Sequence, residues 1–140
     1  MDACVCVSEA DLDYNRQGIY MQAAIYESRM TPDNFFRALS DATRLRTLML
    51  MQRRGELCVC ELAHALKLSQ PKISRHLAVL RETQMVSDRR DGLWVFYRVH
   101  PNLPRWTQRV LAEALAGVDG KRPYAQDAQR FTEMSDRPRA

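Results

Sequence analysis

Across residues 57–99 the apolar spacing switches from helical to alternating, and that switch restricts the fold more than any other feature of the chain. Leu57 to Leu66 reads as a short helix, and Lys67-Leu68-Ser69 as a turn. Ser69 can cap a second helix, with Pro71 in its first turn, where a missing N–H costs nothing. Ile73, Leu77 and Leu80 follow at i, i+4 and i+7, one apolar face. The other positions carry Gln70, Lys72, Ser74, Arg75 and Arg81. After Thr83 the period falls to two. Met85–Arg90 and Leu93–Val99 read as strands around Asp91-Gly92, a strong two-residue hairpin turn. Helix, turn, basic helix and hairpin in that order predict a mostly α fold with a small β-hairpin wing: a winged helix-turn-helix.

The flanks extend this unit. Thr31-Pro32 is a helix start, cap then proline. Phe35, Phe36 and Leu39, then Leu45, Leu48 and Met49, keep helical spacing, interrupted at Ser40-Asp41, where a second cap is expected. Arg53-Arg54-Gly55 closes the stretch with basic residues and a glycine stop. A last helix is expected from Pro101 to about Val118, with Leu103, Trp106, Val110, Leu111 and Leu115 apolar. Residues 9–29 are helix-permissive, and residues 119–140, rich in Pro, Asp, Arg and Gln, read as a flexible tail. The expected organisation is an N-terminal extension (1–29), a DNA-binding domain (30–118) and that tail.

The 140 residues suffice for one ordinary core. Between Lys67 and Arg98 seven basic side chains face three acidic ones, a local excess equal to the +4 of the whole chain. Charge gathered on one helix and its hairpin is an electrostatic footprint for double-stranded DNA. Gln70, Ser74 and Arg75 suit base edges in a major groove, Gln for adenine and Arg for guanine. Lys72 and His76 suit phosphates, and Arg89 and Arg90 on the hairpin suit phosphates or the minor groove. No apolar run approaches the ~20 residues of a membrane span. Without a signal-like start the expected location is cytoplasmic, where thiols stay reduced. No Ser/His/Asp or paired-carboxylate constellation stands out, so no enzyme is expected.

Four cysteines therefore read as ligands or sensors. Cys58 and Cys60 lie two apart in Glu56-Leu57-Cys58-Val59-Cys60-Glu61-Leu62, and Cys4 and Cys6 lie near the start. Soft thiolates select As(III), Cd(II), Pb(II), Zn(II) and Cu(I). On a regular helix, residues two apart point about 200° from each other. One ion binding both sulfurs should therefore unwind or distort the start of this helix. His64 lies four residues after Cys60, but a satisfied surface or core histidine is the simpler reading.

SQPKISRHLAVLRE followed by DRRDGLWVFYRVHPNLPRW resembles the ArsR/SmtB family of metal-responsive winged-helix repressors, and its arsenic-responsive branch in particular, over about residues 32–118. The resemblance implies a homodimer on operator DNA, built from its first and last helices, here 9–29 and 101–118 with Trp106, Leu111 and Leu115 as candidate interface residues. It implies release when As(III) or Sb(III) binds Cys58 and Cys60. The chain departs from relatives that carry a third cysteine three residues further on, since Ala63 stands there. Two completions stay open: three sulfurs with one of Cys4 or Cys6, fitting As(III) or Sb(III), or four sulfurs, fitting Cd(II) or Pb(II). A thiol redox-sensing repressor is a further alternative. The family's other site, an Asp-x-His with a His-x-x-Glu, is not supported, because Arg98 precedes His100 and the later positions are Leu111 and Ala114.

Overall fold

The computed structural model describes residues 30–135. The elements are α1 (Pro32–Leu39), α2 (Ala42–Arg54), β1 (Leu57–Cys58), α3 (Val59–Leu66), α4 (Gln70–Glu82), β2 (Val86–Asp91), β3 (Trp94–Val99), α5 (Arg105–Gly117) and α6 (Tyr124–Glu133). The three strands form one antiparallel sheet in the order β1-β3-β2.

The helix starts follow local hydrogen-bond chemistry. Thr31 Oγ1 accepts from the Asn34 N–H at 3.2 Å, with Pro32 next. Asp41 Oδ1 accepts from the Arg44 N–H at 3.0 Å, and α2 ends at Gly55, whose φ of 82° lies where glycine is favoured. Ser69 Oγ accepts from the Lys72 N–H at 3.3 Å. Replacing Ser69 with Ala leaves that donor to water, and a loss of about 1 kcal/mol in thermal or urea unfolding is expected.

Phe35, Leu48, Met51, Leu62, Leu66, Ile73, Leu77, Leu80 and Met85 are buried in one core shared by α1 to α4 and the start of β2. Each such side chain contributes about 1.5–3 kcal/mol relative to exposure. Ile73, Leu77 and Leu80 are the buried residues of α4, which fixes its polar face outward.

Four expectations need correction. The stretch from Leu57 is not all helix: Leu57 and Cys58 pair with Tyr97 and Phe96, and α3 begins at Val59. The hairpin pairs Asp91 with Trp94, so its two-residue loop is Gly92-Leu93, with Gly92 at φ 61°. Glycine at the first loop position suits a II′ turn, whose twist matches the strands. The last helix of the domain starts at Arg105, because Pro101 and Pro104 hold the preceding segment out of helix. Residues 119–140 are not a loose tail throughout. Residues 124–133 form α6, which packs on α2 and α3 with Phe131 and Asp127 buried. Residues 1–29, with Cys4, Cys6 and the expected first helix, lie outside the described residues.

Candidate nucleic-acid interface and thiol site

α3, a turn and α4 form the helix-turn-helix. Lys67 makes the turn at φ 55°, a left-handed helix end. Two arginines from distant elements close the carbonyl end of α3. Arg46 Nη2 donates to the Leu66 carbonyl at 3.0 Å, and Arg130 Nε donates to the Ala65 carbonyl at 2.7 Å. Both also bind the buried carboxylate of Asp127, Arg46 at 2.7 and 2.8 Å and Arg130 at 2.8 Å. The hydrogen bond to Asp127 raises the Arg46 pKa above its usual value, against the opposing effect of desolvation.

Gln70, Lys72, Ser74 and Arg75 are exposed around the side of α4 that is left outside the core by Ile73, Leu77 and Leu80. His76 is different. It is half-buried, with Nδ1 3.4 Å from Arg44 Nη1 and 3.7 Å from Asp41 Oδ1, and it packs α4 against the start of α2. Burial pushes the Asp41 carboxyl up, but the Arg44 N–H and the nearby His76 and Arg44 charges win and hold it below its ordinary value.

The two wing arginines also part company. Arg90 is exposed. Arg89 Nη2 donates to Glu56 Oε1 at 2.6 Å, and its Nε lies 3.1 Å from Glu56 Oε2. Its guanidinium carbon sits 5.0 Å over the Phe96 ring. Glu56 lay in the quoted cysteine motif without a role, and nothing in its local spacing points to a partner 33 residues away.

The thiols converge. Cys58 is the extended residue that precedes α3, with φ −93° and ψ 169°, while Cys60 lies in the first turn. Their sulfurs are 2.8 Å apart. One side chain leaves from a strand and the other from a helix, so the 200° divergence of a regular helix does not apply. The expectation that one ion must unwind the helix start is therefore overturned. The Cys58 N–H donates to Glu61 Oε1 at 3.0 Å, which satisfies an amide that the helix leaves open. Burial, reinforced by the hydrogen bond with Cys60, pushes the Cys58 thiol up to about 12. Among the described residues no cluster of three or more His, Cys, Asp or Glu could hold a metal ion. The two sulfurs converge, and His64, exposed on α3, does not extend the pair into a three-donor cluster among the described residues.

A capped helix-turn-helix with an antiparallel wing and an exposed basic recognition face defines a winged helix-turn-helix transcriptional regulator. The family model for bacterial regulatory proteins of the arsR family matches residues 41–88. The chain is 51% identical over 112 residues to the arsenic resistance transcriptional regulator ArsR1 of Pseudomonas putida, covering 79% of this chain and 85% of that one. It is 49% identical over 87 residues to the arsenical resistance operon repressor of Escherichia coli, covering 62% and 74%. Among solved structures it is similar to the AntR antimony-specific transcriptional repressor, with a TM-score of 0.52, 29% identity and coverage of 61% and 74%. The chain belongs to the arsR family. No helix among the described residues is long and apolar enough to cross a membrane.

Proposed function

We propose that the chain is a cytoplasmic homodimeric repressor of an arsenic-resistance operon that leaves its operator when As(III) or Sb(III) binds Cys58 and Cys60. The observation that carries the reading is the sulfur pair, 2.8 Å apart, at the start of the helix that feeds the helix-turn-helix. Arsenous acid is a neutral trihydroxide that exchanges hydroxide for thiol, and two converged thiols are its natural first partners. A third sulfur comes from Cys4 or Cys6. Cd(II) or Pb(II) taken up by all four sulfurs is the competing inducer.

On DNA, Gln70, Ser74 and Arg75 read bases, while Lys72 and Arg90 take phosphates. His76 and Arg89 contribute less directly, since both are engaged within the protein. The homodimer is supported by an aromatic patch that joins α1 to α5. Phe36 is 52% exposed and Trp106 37%, with ring centroids 6.4 Å apart. Leu111 is buried inside the protomer and is not available to a partner, so Trp106 and Leu115 remain the interface candidates.

Fluorescence anisotropy of the reduced protein on its upstream DNA, titrated separately with arsenite, cadmium and zinc, tests the reading. Release at micromolar arsenite with weaker responses to the others is expected. Cadmium as the stronger inducer would favour the four-sulfur site, and release by peroxide alone would favour redox sensing. On the same DNA, Arg75→Ala is expected to weaken binding by about 1–3 kcal/mol and relax preference at one base pair, whereas Lys72→Ala should lower the salt slope by about one.

A further inference from the structure

The thiol pair is joined to the wing through the sheet as well as to the recognition helix through α3. Cys58 pairs with Phe96 on β3, and Phe96 pairs with Arg89 on β2. Residues directly opposite in antiparallel strands share a face, so Cys58, Phe96 and Arg89 form one row across all three strands. Cys58 and Phe96 are both buried, and the Arg89 guanidinium lies over the Phe96 ring. Glu56 closes the row into a loop. It stands two residues before Cys58 and clasps Arg89 through contacts of 2.6, 3.1 and 3.2 Å. The side chains of this ion pair are 28% and 22% exposed, and Arg89 Nη1 also lies 3.5 Å from Asp91 Oδ2 on its own strand.

We infer that Glu56 is a positioning residue that couples the thiol site to the wing. A ligand on Cys58 moves the backbone of a two-residue strand whose neighbours are Glu56 on one side and Phe96 across the sheet. The displacement of Glu56 pulls on Arg89 through their ion pair, and with it on exposed Arg90 and the Gly92-Leu93 tip of the hairpin, while the pairing of Cys58 with Phe96 keeps the sheet in register. Loss of wing contacts then accompanies any shift of α4. Arg89 stabilises this joint and is not a phosphate ligand in the unliganded protein. The inference rests on the operator-release reading and names the route that release takes.

The chain has two tryptophans, and one of them, Trp94, stands at the end of the wing strand, 43% exposed. Its emission is read as the difference between each protein and the same protein with Trp94→Phe, which leaves the interface candidate Trp106 in place. Three proteins are compared: the wild type as background, Glu56→Ala, and the chain with the charges exchanged (Glu56→Arg with Arg89→Glu). Each is measured for arsenite affinity by competition with a small dithiol, for operator affinity with and without arsenite, and for Trp94 emission. Glu56→Ala is expected to bind arsenite within about twofold of the background. Its arsenite-induced loss of operator affinity should shrink at least about fivefold, the lower end of ordinary coupling factors. Arsenite should shift Trp94 emission in the background but not in Glu56→Ala, and the exchanged pair should restore both effects. An undiminished arsenite effect on operator binding in Glu56→Ala, or unchanged Trp94 emission in a background protein that does release DNA, overturns the inference. A background protein that binds arsenite and keeps its operator overturns the release reading itself, and the coupling role of Glu56 with it.

Discussion

A chain with serine at both Cys58 and Cys60 is expected to stay on its operator at arsenite concentrations at least about a hundredfold above those that release the wild type, toward the upper end of ordinary allosteric coupling factors. The comparison is clean because the substitution should leave the fold intact. Serine is among the preferred residues at the position just before a helix, and the Glu61 carboxylate continues to satisfy the residue 58 N–H. Apo operator affinity within about threefold of wild type is the accompanying expectation, and a large drop there would mean that the thiols are structural. The raised pKa of Cys58, about 12, adds a pH signature. Near neutrality the Cys58 thiol carries its proton. Arsenous acid removes that proton together with one of its own hydroxides as water, so this thiol leaves arsenite affinity flat between about pH 6 and 8. A divalent ion must expel the proton into solvent, so cadmium affinity should rise about tenfold per pH unit on account of this thiol. The same shift touches stability only at high pH. The unfolded thiol ionises near 9.0 while the folded one stays neutral to about 12, so its contribution is intact below 9.0 and declines above it.

Asp127→Ala is expected to destabilise the protein by about 2–4 kcal/mol, because it strands the charges of Arg46 and Arg130 where they are only 17% and 24% exposed. For a domain of this size that lowers the melting temperature by about 10 °C. The effect should extend beyond α6, since both arginines also hold the last carbonyls of α3. Hydrogen exchange across residues 57–68 in Asp127→Ala is the measurement that checks it. A faster rate at Ala65 to Leu68 with an unchanged rate in the wing would locate the damage at the helix-turn-helix corner. A melting temperature within a degree or two of wild type would mean that water replaces the carboxylate.

Most of the DNA-facing half was legible in the sequence because its signals are local. Thr31, Asp41 and Ser69 cap helices within three residues of themselves, and Ile73, Leu77 and Leu80 declare the buried face of α4 by spacing alone. What was missed depends on distant partners. β1 has two residues, too few for any period, and exists because β3 offers it Tyr97 and Phe96. That missing strand is why the cysteine geometry was misjudged. Composition hid α6: a Pro- and Arg-rich segment looked loose, although Tyr124, Ala128 and Phe131 stand at i, i+4 and i+7 and pack against the core. Asp127 on the same helix needed Arg46, 81 residues away, to become meaningful. The burial of Leu111 likewise could not be read from a stripe that core packing and a dimer seam produce alike.

The placement of Cys58 ahead of α3 also bears on how such a sensor changes over evolutionary time. A cysteine codon lies one nucleotide from a serine codon, and at this position serine is a good helix-starting residue. With Glu61 already holding the backbone, a lineage can lose or regain the sulfur without passing through an unfolded intermediate. Responsiveness to a toxic ion can therefore drift on a scaffold whose affinity for DNA is kept by other residues. Related regulators that share this frame but answer to different signals, or to none, are the expected result.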